Sequence, residues 1–173
     1  MHDDIDLAIR TNFQANEDSS LIVRDVIKTT HCLVASPELL KGRHIQHFTE
    51  LHEFPSVVLG MQKSQYYWHL NNRELGEVID IPLQPRIKSN DLAGVYYAVY
   101  DGFGIADLPY LAVENDIKQG KLIHVLPEWC SNLGTVQLVY ASRKGQRLVM
   151  EKLIDYLVEG LRDLAKDHLG YAL

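Results

Sequence analysis

Pro85-Arg86-Ile87-Lys88-Ser89-Asn90-Asp91, continued through Leu92 to Gly102-Phe103-Gly104-Ile105-Ala106-Asp107-Leu108-Pro109, predicts strand, capped helix, glycine-marked turn and strand. Asn90 or Asp91 can cap the helix, since a short side-chain acceptor satisfies the orphan amides of a first turn. Leu92, Val95, Tyr96 and Val99 then share one face at helical spacing, and Gly102 marks the stop. Such a unit leaves a helix N-terminus at the end of the preceding strand, where free amides and the helix dipole suit a small anion.

Alternation of strands and helices continues on both sides. Residues 5–9, 21–27, 32–35, 55–59, 66–70 and 78–81 predict strands, with Asn71-Asn72 as a turn and Ser36-Pro37 opening a short helix. Residues 111–119 predict a helix ended by Gly120, and 122–125 and 136–140 predict strands. A long amphipathic helix is expected over about residues 146–167, with Val149, Leu153, Leu157, Leu161 and Leu164 as its apolar stripe. This pattern argues for an α/β protein with mostly parallel sheets.

These segments carry a resemblance. Asp6-Leu7-Ala8-Ile9-Arg10, then Val34-Ala35-Ser36-Pro37, the Asn90-Asp91 helix, the Gly102–Ala106 turn, Gly120 through Trp129, and Leu138 through Lys144 follow the order of a LysR-type transcriptional regulator. What is similar is the effector-binding domain, not the DNA-binding domain. The resemblance implies a two-lobe periplasmic-binding-protein-like fold with lobe I incomplete. Lobe I would comprise residues 1–27 and 126–173, and lobe II residues 28–125. It also implies that a first strand-helix-strand-helix stretch and a winged helix-turn-helix are not in this chain. Met1 would then be an internal methionine, a cloning boundary or the start of a truncated product.

The resemblance places an effector in the cleft between the lobes. Three segments qualify by their chemistry. Arg10, Thr11 and Asn12 offer a guanidinium, a hydroxyl and an amide. Gly60, Met61 and Gln62 follow a strand, with Gly60 admitting close backbone approach and Met61 an adaptable apolar wall. Asn90, with Phe103, Gly104 and Ile105 in the next turn, completes the set. Family positions matching Thr11 and Met61 tend to touch the effector, whereas the family's Ser/Thr-rich loop after its first strand has no counterpart here. Bland roles stay open: Arg10 pairing with Glu17 or Asp18, Gly60 as a turn residue, Met61 and Phe103 as packing, Asn90 as a cap.

Bulk properties limit the alternatives. The chain has 173 residues, of which 46% are hydrophobic and 23% charged, enough for one sizeable domain or two small lobes. A net charge of -6 has the wrong sign for a stand-alone nucleic-acid binder, so no DNA binding by this chain alone is expected. No apolar run approaches a membrane span, and no membrane partner is expected. Cys32 and Cys130 read as free thiols, the first buried and the second accessible. His44, His47 and His52 lack the partners of a structural zinc site, and no metal or other cofactor is expected. No nucleophile elbow, phosphate loop or metalloprotease helix is present, which argues against an enzyme.

The reading is thus a domain sensing a small, anionic metabolite, coupled to the arrangement of a homodimer or larger assembly, with a cytoplasmic location implied by the resemblance. The alternatives are a periplasmic-type solute-binding protein or a small α/β enzyme.

Overall fold

The computed structural model describes residues 6–12, 21–60, 65–72, 74–141 and 148–166. In chain order the elements are β1 (Leu7–Asn12), β2 (Leu21–Ala35), α1 (Pro37–Leu40), a 3-10 turn (Phe48–Glu53), β3 (Val57–Leu59), β4 (Tyr66–Asn72) and β5 (Glu77–Leu83). Then come β6 (Ile87–Ser89), α2 (Leu92–Tyr100), β7 (Ala106–Pro109), α3 (Tyr110–Lys118), β8 (Ile123–Val125), β9 (Trp129–Ala141) and α4 (Leu148–Lys166). Two compact units result. One takes the described residues of Met1–Thr29 and Leu133–Leu173, the other Thr30–Asn132. The chain passes from one to the other inside β2 and again inside β9.

In the second unit, β4 and β5 form an antiparallel hairpin in which Trp68 faces Ile81 and Leu70 faces Ile79. Tyr66, Trp68, Leu70 and Asn72 are buried while Tyr67 and His69 are exposed, the period of two that a half-covered strand requires. The strand therefore runs through Asn71-Asn72, and the turn falls after it. β2 is covered on both faces. Leu33 belongs to a core with Leu70, Ile105 and Trp129, and Val34 to another with Val57, Val95 and Leu108. The break expected between Ile27 and Cys32 is absent, because Thr29, Thr30 and His31 are themselves buried within one 15-residue strand.

The expectation of mostly parallel sheets is corrected. Among the described pairings, β3–β6 and the bridge from Ser56 to Ile105 are parallel, while β1–β9, β2–β7, β2–β8, β4–β5 and β4–β9 are antiparallel. A parallel return needs a crossover of a dozen or more residues. The 66–83 hairpin is too short for one. α2, packed on β3, β6 and β7, supplies one.

α2 ends in a Schellman motif: Gly102 N–H donates to Val99 C=O at 3.0 Å and Phe103 N–H to Ala98 C=O at 2.9 Å. Gly102 sits at φ 78°, the left-handed conformation this stop needs. Two residues on, a side chain at Gly104 would put its Cβ 2.7 Å from the Pro55 carbonyl oxygen. That backbone approach lets Ile105 N–H reach Pro55 C=O at 2.9 Å.

In the first unit, β1 pairs antiparallel with the later half of β9, Leu7 opposite Tyr140 and Asn12 opposite Thr135. Ile154 and Val158 of α4 are buried with Leu138 and Tyr140, with Met150, Leu157 and Leu161 packed alongside. Of the expected stripe, Leu157 and Leu161 pack as read, and its first two members are corrected. Val149 is 75% exposed and Leu153 43%. Strict steps of four advance about 40° per turn around a 3.6-residue helix, so such a row spirals off the buried face. Leu164's side chain lies outside the described residues. Cys32 is buried and Cys130 half-buried, both as free thiols.

Candidate functional site

β3 and β6 run side by side and end together in the second unit, with Leu59 opposite Ser89. Gly60 N–H donates to Ser89 C=O at 2.7 Å, so Gly60 and Asn90 share one strand-end edge. Tyr66 Oη donates to Gly60 C=O at 3.2 Å and fixes the other side of that glycine.

The cap of α2 is Asp91. Its carboxylate accepts from Ala93 N–H and Gly94 N–H, each at 3.2 Å. Ser89 Oγ accepts from Asp91 N–H at 3.0 Å and braces it. The reading of Asn90 as the cap is therefore corrected. Asp91 stands immediately before the first helical residue, within reach of the second and third amides. Asn90 is left exposed. A carboxylate on those amides also offsets the positive end of α2, so the anion-attracting element is weaker there than the sequence suggested. α3 differs: it starts at Pro109 with no side-chain cap. Since Ser56 pairs in parallel with Ile105, β7 runs with β3 and delivers the start of α3 to the Gly60 side.

Phe103, Gly104 and Ile105 do not join Asn90. The nine residues of α2 separate them by roughly 13 Å at 1.5 Å per residue. The bridge from Ser56 to Ile105 puts them at the opposite end of β3 from Gly60. Phe103 is half-exposed with the Arg86 guanidinium 5.8 Å from its ring centre, whereas Ile105 is fully buried in the core.

Arg10, Thr11 and Asn12 lie on β1, in the first unit. Arg10 Nε donates to Gln137 Oε1 at 3.3 Å, and Gln137 Nε2 to Asp25 Oδ1 at 2.8 Å, so that guanidinium is tied to its own sheet. Thr11 is exposed opposite Val136. Met61 and Gln62, and Glu17 and Asp18 as alternative partners of Arg10, lie outside the described residues.

A polar cluster that the motif reading missed sits in the second unit. Asp107 on β7 accepts from Ser131 Oγ at 2.6 Å and lies 3.3 Å from His31 Nδ1. Thr30 Oγ1 donates to Ser131 C=O at 2.9 Å. Burial and the Asp107 charge push the neighbouring Cys32 thiol well above its ordinary range. The signal was available: Thr30, His31 and Asp107 interrupt apolar strands, and buried polar groups need partners. Their partners are one another. His47, considered above as a metal ligand, accepts from Thr49 N–H as a turn cap, and Glu50 accepts from His47 N–H at 2.9 Å. Among the described residues no group of three or more His, Cys, Asp or Glu is placed to hold a metal. No helix among them is long and apolar enough to cross a membrane.

The chain matches the LysR substrate binding domain family over residues 1–162. It is similar to the HTH-type transcriptional regulator DmlR of Escherichia coli, 29% identical over 171 residues that cover 95% of this chain and 53% of that one. PtxR of Pseudomonas aeruginosa is 26% identical over 167 residues, covering 96% and 50%. The solved regulatory domain of CrgA, a LysR-type transcriptional regulator from Neisseria meningitidis, aligns with a TM-score of 0.74 at 29% identity, covering 90% of this chain and 74% of that one. The chain spans about half the length of the relatives it matches. Those relatives are HTH-type transcriptional regulators. Such regulatory domains have the two-lobe periplasmic-binding-protein-like fold. With an α/β fold matching those domains and a family match from residue 1 to 162, this chain belongs to the LysR substrate-binding domain family.

Proposed function

We propose that this chain is the sensing domain of a cytoplasmic LysR-type transcription regulator and that it takes a small anionic metabolite in the inter-lobe cleft of that fold. Thr11 would contribute from lobe I, residues 1–27 and 126–173, and Gly60, Met61, Gln62 and Asn90 from lobe II, residues 28–125. The observation that supports it is the shared edge of β3 and β6, where Gly60 and the exposed Asn90 end together and the uncapped start of α3 lies on the Gly60 side. Open α/β sheets take ligands at the carboxyl ends of their parallel strands. Phe103, Gly104 and Ile105 serve the frame rather than the ligand. Occupancy biases self-association only to the extent that the ligand prefers one arrangement over another.

A melting-temperature screen of small mono- and dicarboxylates tests this, followed by titration calorimetry of the best. Thr11→Val keeps the shape and removes a hydroxyl, so affinity should fall by the equivalent of about 0.5–1.5 kcal/mol. Light scattering with and without ligand reads the oligomer, and fluorescence anisotropy with duplex DNA should show background binding only. Turnover of the ligand, or affinity indifferent to both Thr11 and Asn90, would overturn the reading.

A further inference from the structure

Gln137 on β9 accepts from Arg10 of β1 and donates to Asp25 of β2, so β9 lies between those two strands. Among the described residues β1 pairs with β9 alone, which leaves its outer edge without a neighbouring strand. Such an edge is a template for pairing with another chain. Ile9 stands opposite Leu138 and shares its side of the sheet, the side that α4 covers, yet Ile9 is 51% exposed.

α4 leaves the same side open. At about 100° per residue, Val149, Leu153, Tyr156 and Gly160 form one stripe beside the packed row that holds Ile154 and Val158. Asp155 lies on the opposite flank of that row and pairs with Arg24 of β2 at 3.0 Å. The stripe is therefore turned away from β2, toward β1 and Ile9. Val149 and Tyr156 are 75% and 74% exposed and Leu153 43%, so an apolar trough runs along the β1 edge with Ile9 as its floor. Gly160, with nothing within 4 Å of an added Cβ, leaves room at the end of the stripe.

A second copy of the same face fits this trough. A two-fold axis normal to the sheet beside β1 sets β1 antiparallel to its counterpart, as an edge pairing allows. The same rotation sets the two α4 helices antiparallel, with their stripes meeting above the Ile9 side chains. Charge agrees with that direction. The solvent border of the stripe carries Lys152 toward its start and Glu159 and Asp163 toward its end. Antiparallel helices bring Lys152 of each copy to the acidic end of the other, whereas parallel helices would set like against like.

We propose that this trough is a self-association surface and that the chain forms a two-fold dimer through β1 and the Val149–Leu153–Tyr156 stripe of α4. The dimer gives a surface to the self-association named above and needs no ligand, so a failed effector screen leaves it standing.

Sedimentation equilibrium of the chain across micromolar concentrations tests it. Expected is a reversible monomer–dimer equilibrium with nothing larger, because a two-fold contact closes on itself. Leu153→Glu and Ile9→Lys should each weaken dimerisation by about tenfold or more, since each buries a charge twice per dimer. Lys152→Glu should weaken it several-fold, and adding Glu159→Lys should restore it, because the opposite charges have only exchanged ends. Each replaced side chain is well exposed in the single chain, so circular dichroism should show the variants folded. A chain that stays monomeric, or a dimer unmoved by Leu153→Glu and Ile9→Lys, would overturn the proposal. Assembly beyond the dimer, or a charge exchange that restores nothing, would overturn it as well.

Discussion

Ser131 Oγ donates to Asp107 Oδ1 at 2.6 Å, joining β9 to β7 through a side-chain bond in the interior of the second unit. The other carboxylate oxygen of Asp107 faces His31 Nδ1 at 3.3 Å, so one acidic group serves two strands. Removing it takes an interaction from both Ser131 and His31, whereas removing Ser131 leaves the carboxylate its histidine. Asp107→Ala should therefore lower stability by about 2–3 kcal/mol and Ser131→Ala by about 1 kcal/mol. Urea denaturation at neutral pH compares the midpoints, and equal losses would show that His31 contributes nothing.

Gly104 and Gly160 predict opposite signs for the same substitution. An alanine at 104 would press its Cβ to 2.7 Å from the Pro55 carbonyl oxygen, a backbone atom that cannot swing away. Gly104→Ala should cost about 1–3 kcal/mol, as overpacking does. Gly160 is exposed inside α4 with nothing within 4 Å of an added Cβ. Gly160→Ala should stabilise by about 0.5–1 kcal/mol. Thermal unfolding of both variants checks the pair of signs.

The buried face of α4 makes a third prediction. Ile154 is 4% exposed, so Ile154→Ala should cost about 2–5 kcal/mol. Val149, at 75% exposure, should tolerate alanine within about 0.5 kcal/mol. Chemical denaturation of the two variants would show the reverse order had the strict four-residue row been the packed one.

Acid sensitivity follows from His124. Burial holds its imidazole below the ordinary 6.5, so the folded state disfavours the proton that the unfolded state accepts. The neutral form's contribution is complete above pH 6.5 and is lost as pH falls from there through the lowered folded value. Glu50 lies lower: the amides of Gln46 and His47 hold its carboxylate below 4.5, and its contribution disappears only as pH falls beneath that. Stability measured between about pH 7 and 5 should slope downward toward acid, and His124→Gln should flatten that slope. An unchanged slope would assign the effect to other groups.

Local signals were well written into the chain. Ser36 before Pro37 caps α1, accepting from Leu39 N–H at 3.2 Å, and Gly102 stops α2 as the spacing requires. Alternation along Tyr66-Tyr67-Trp68-His69-Leu70 matches the buried and exposed faces of β4. What failed depended on partners distant in sequence. Strand direction was not legible because β4 pairs with both its neighbour β5 and the remote β9. The polar run Thr29-Thr30-His31 looked like a break since its partners, Ser131 and Asp107, are far along the chain. At the candidate site, the Gly60–Asn90 edge could be read from two strands each ending in a turn. The separation of Phe103 from Asn90 required the length of α2.

Because β2 and β9 each pass through both units, only the second unit is contiguous in sequence. On a ribosome, Thr30–Asn132 is all synthesised before α4 emerges. The first unit must instead bring β1 to β9 across more than 120 residues, a closure whose entropic cost is far smaller once the intervening chain is already compact. Order of folding is thus built into the connectivity. Pulse-labelled hydrogen exchange during refolding should protect the amides of Leu33 and Leu70 before that of Leu138. Simultaneous protection would mean that the two units form as one cooperative body.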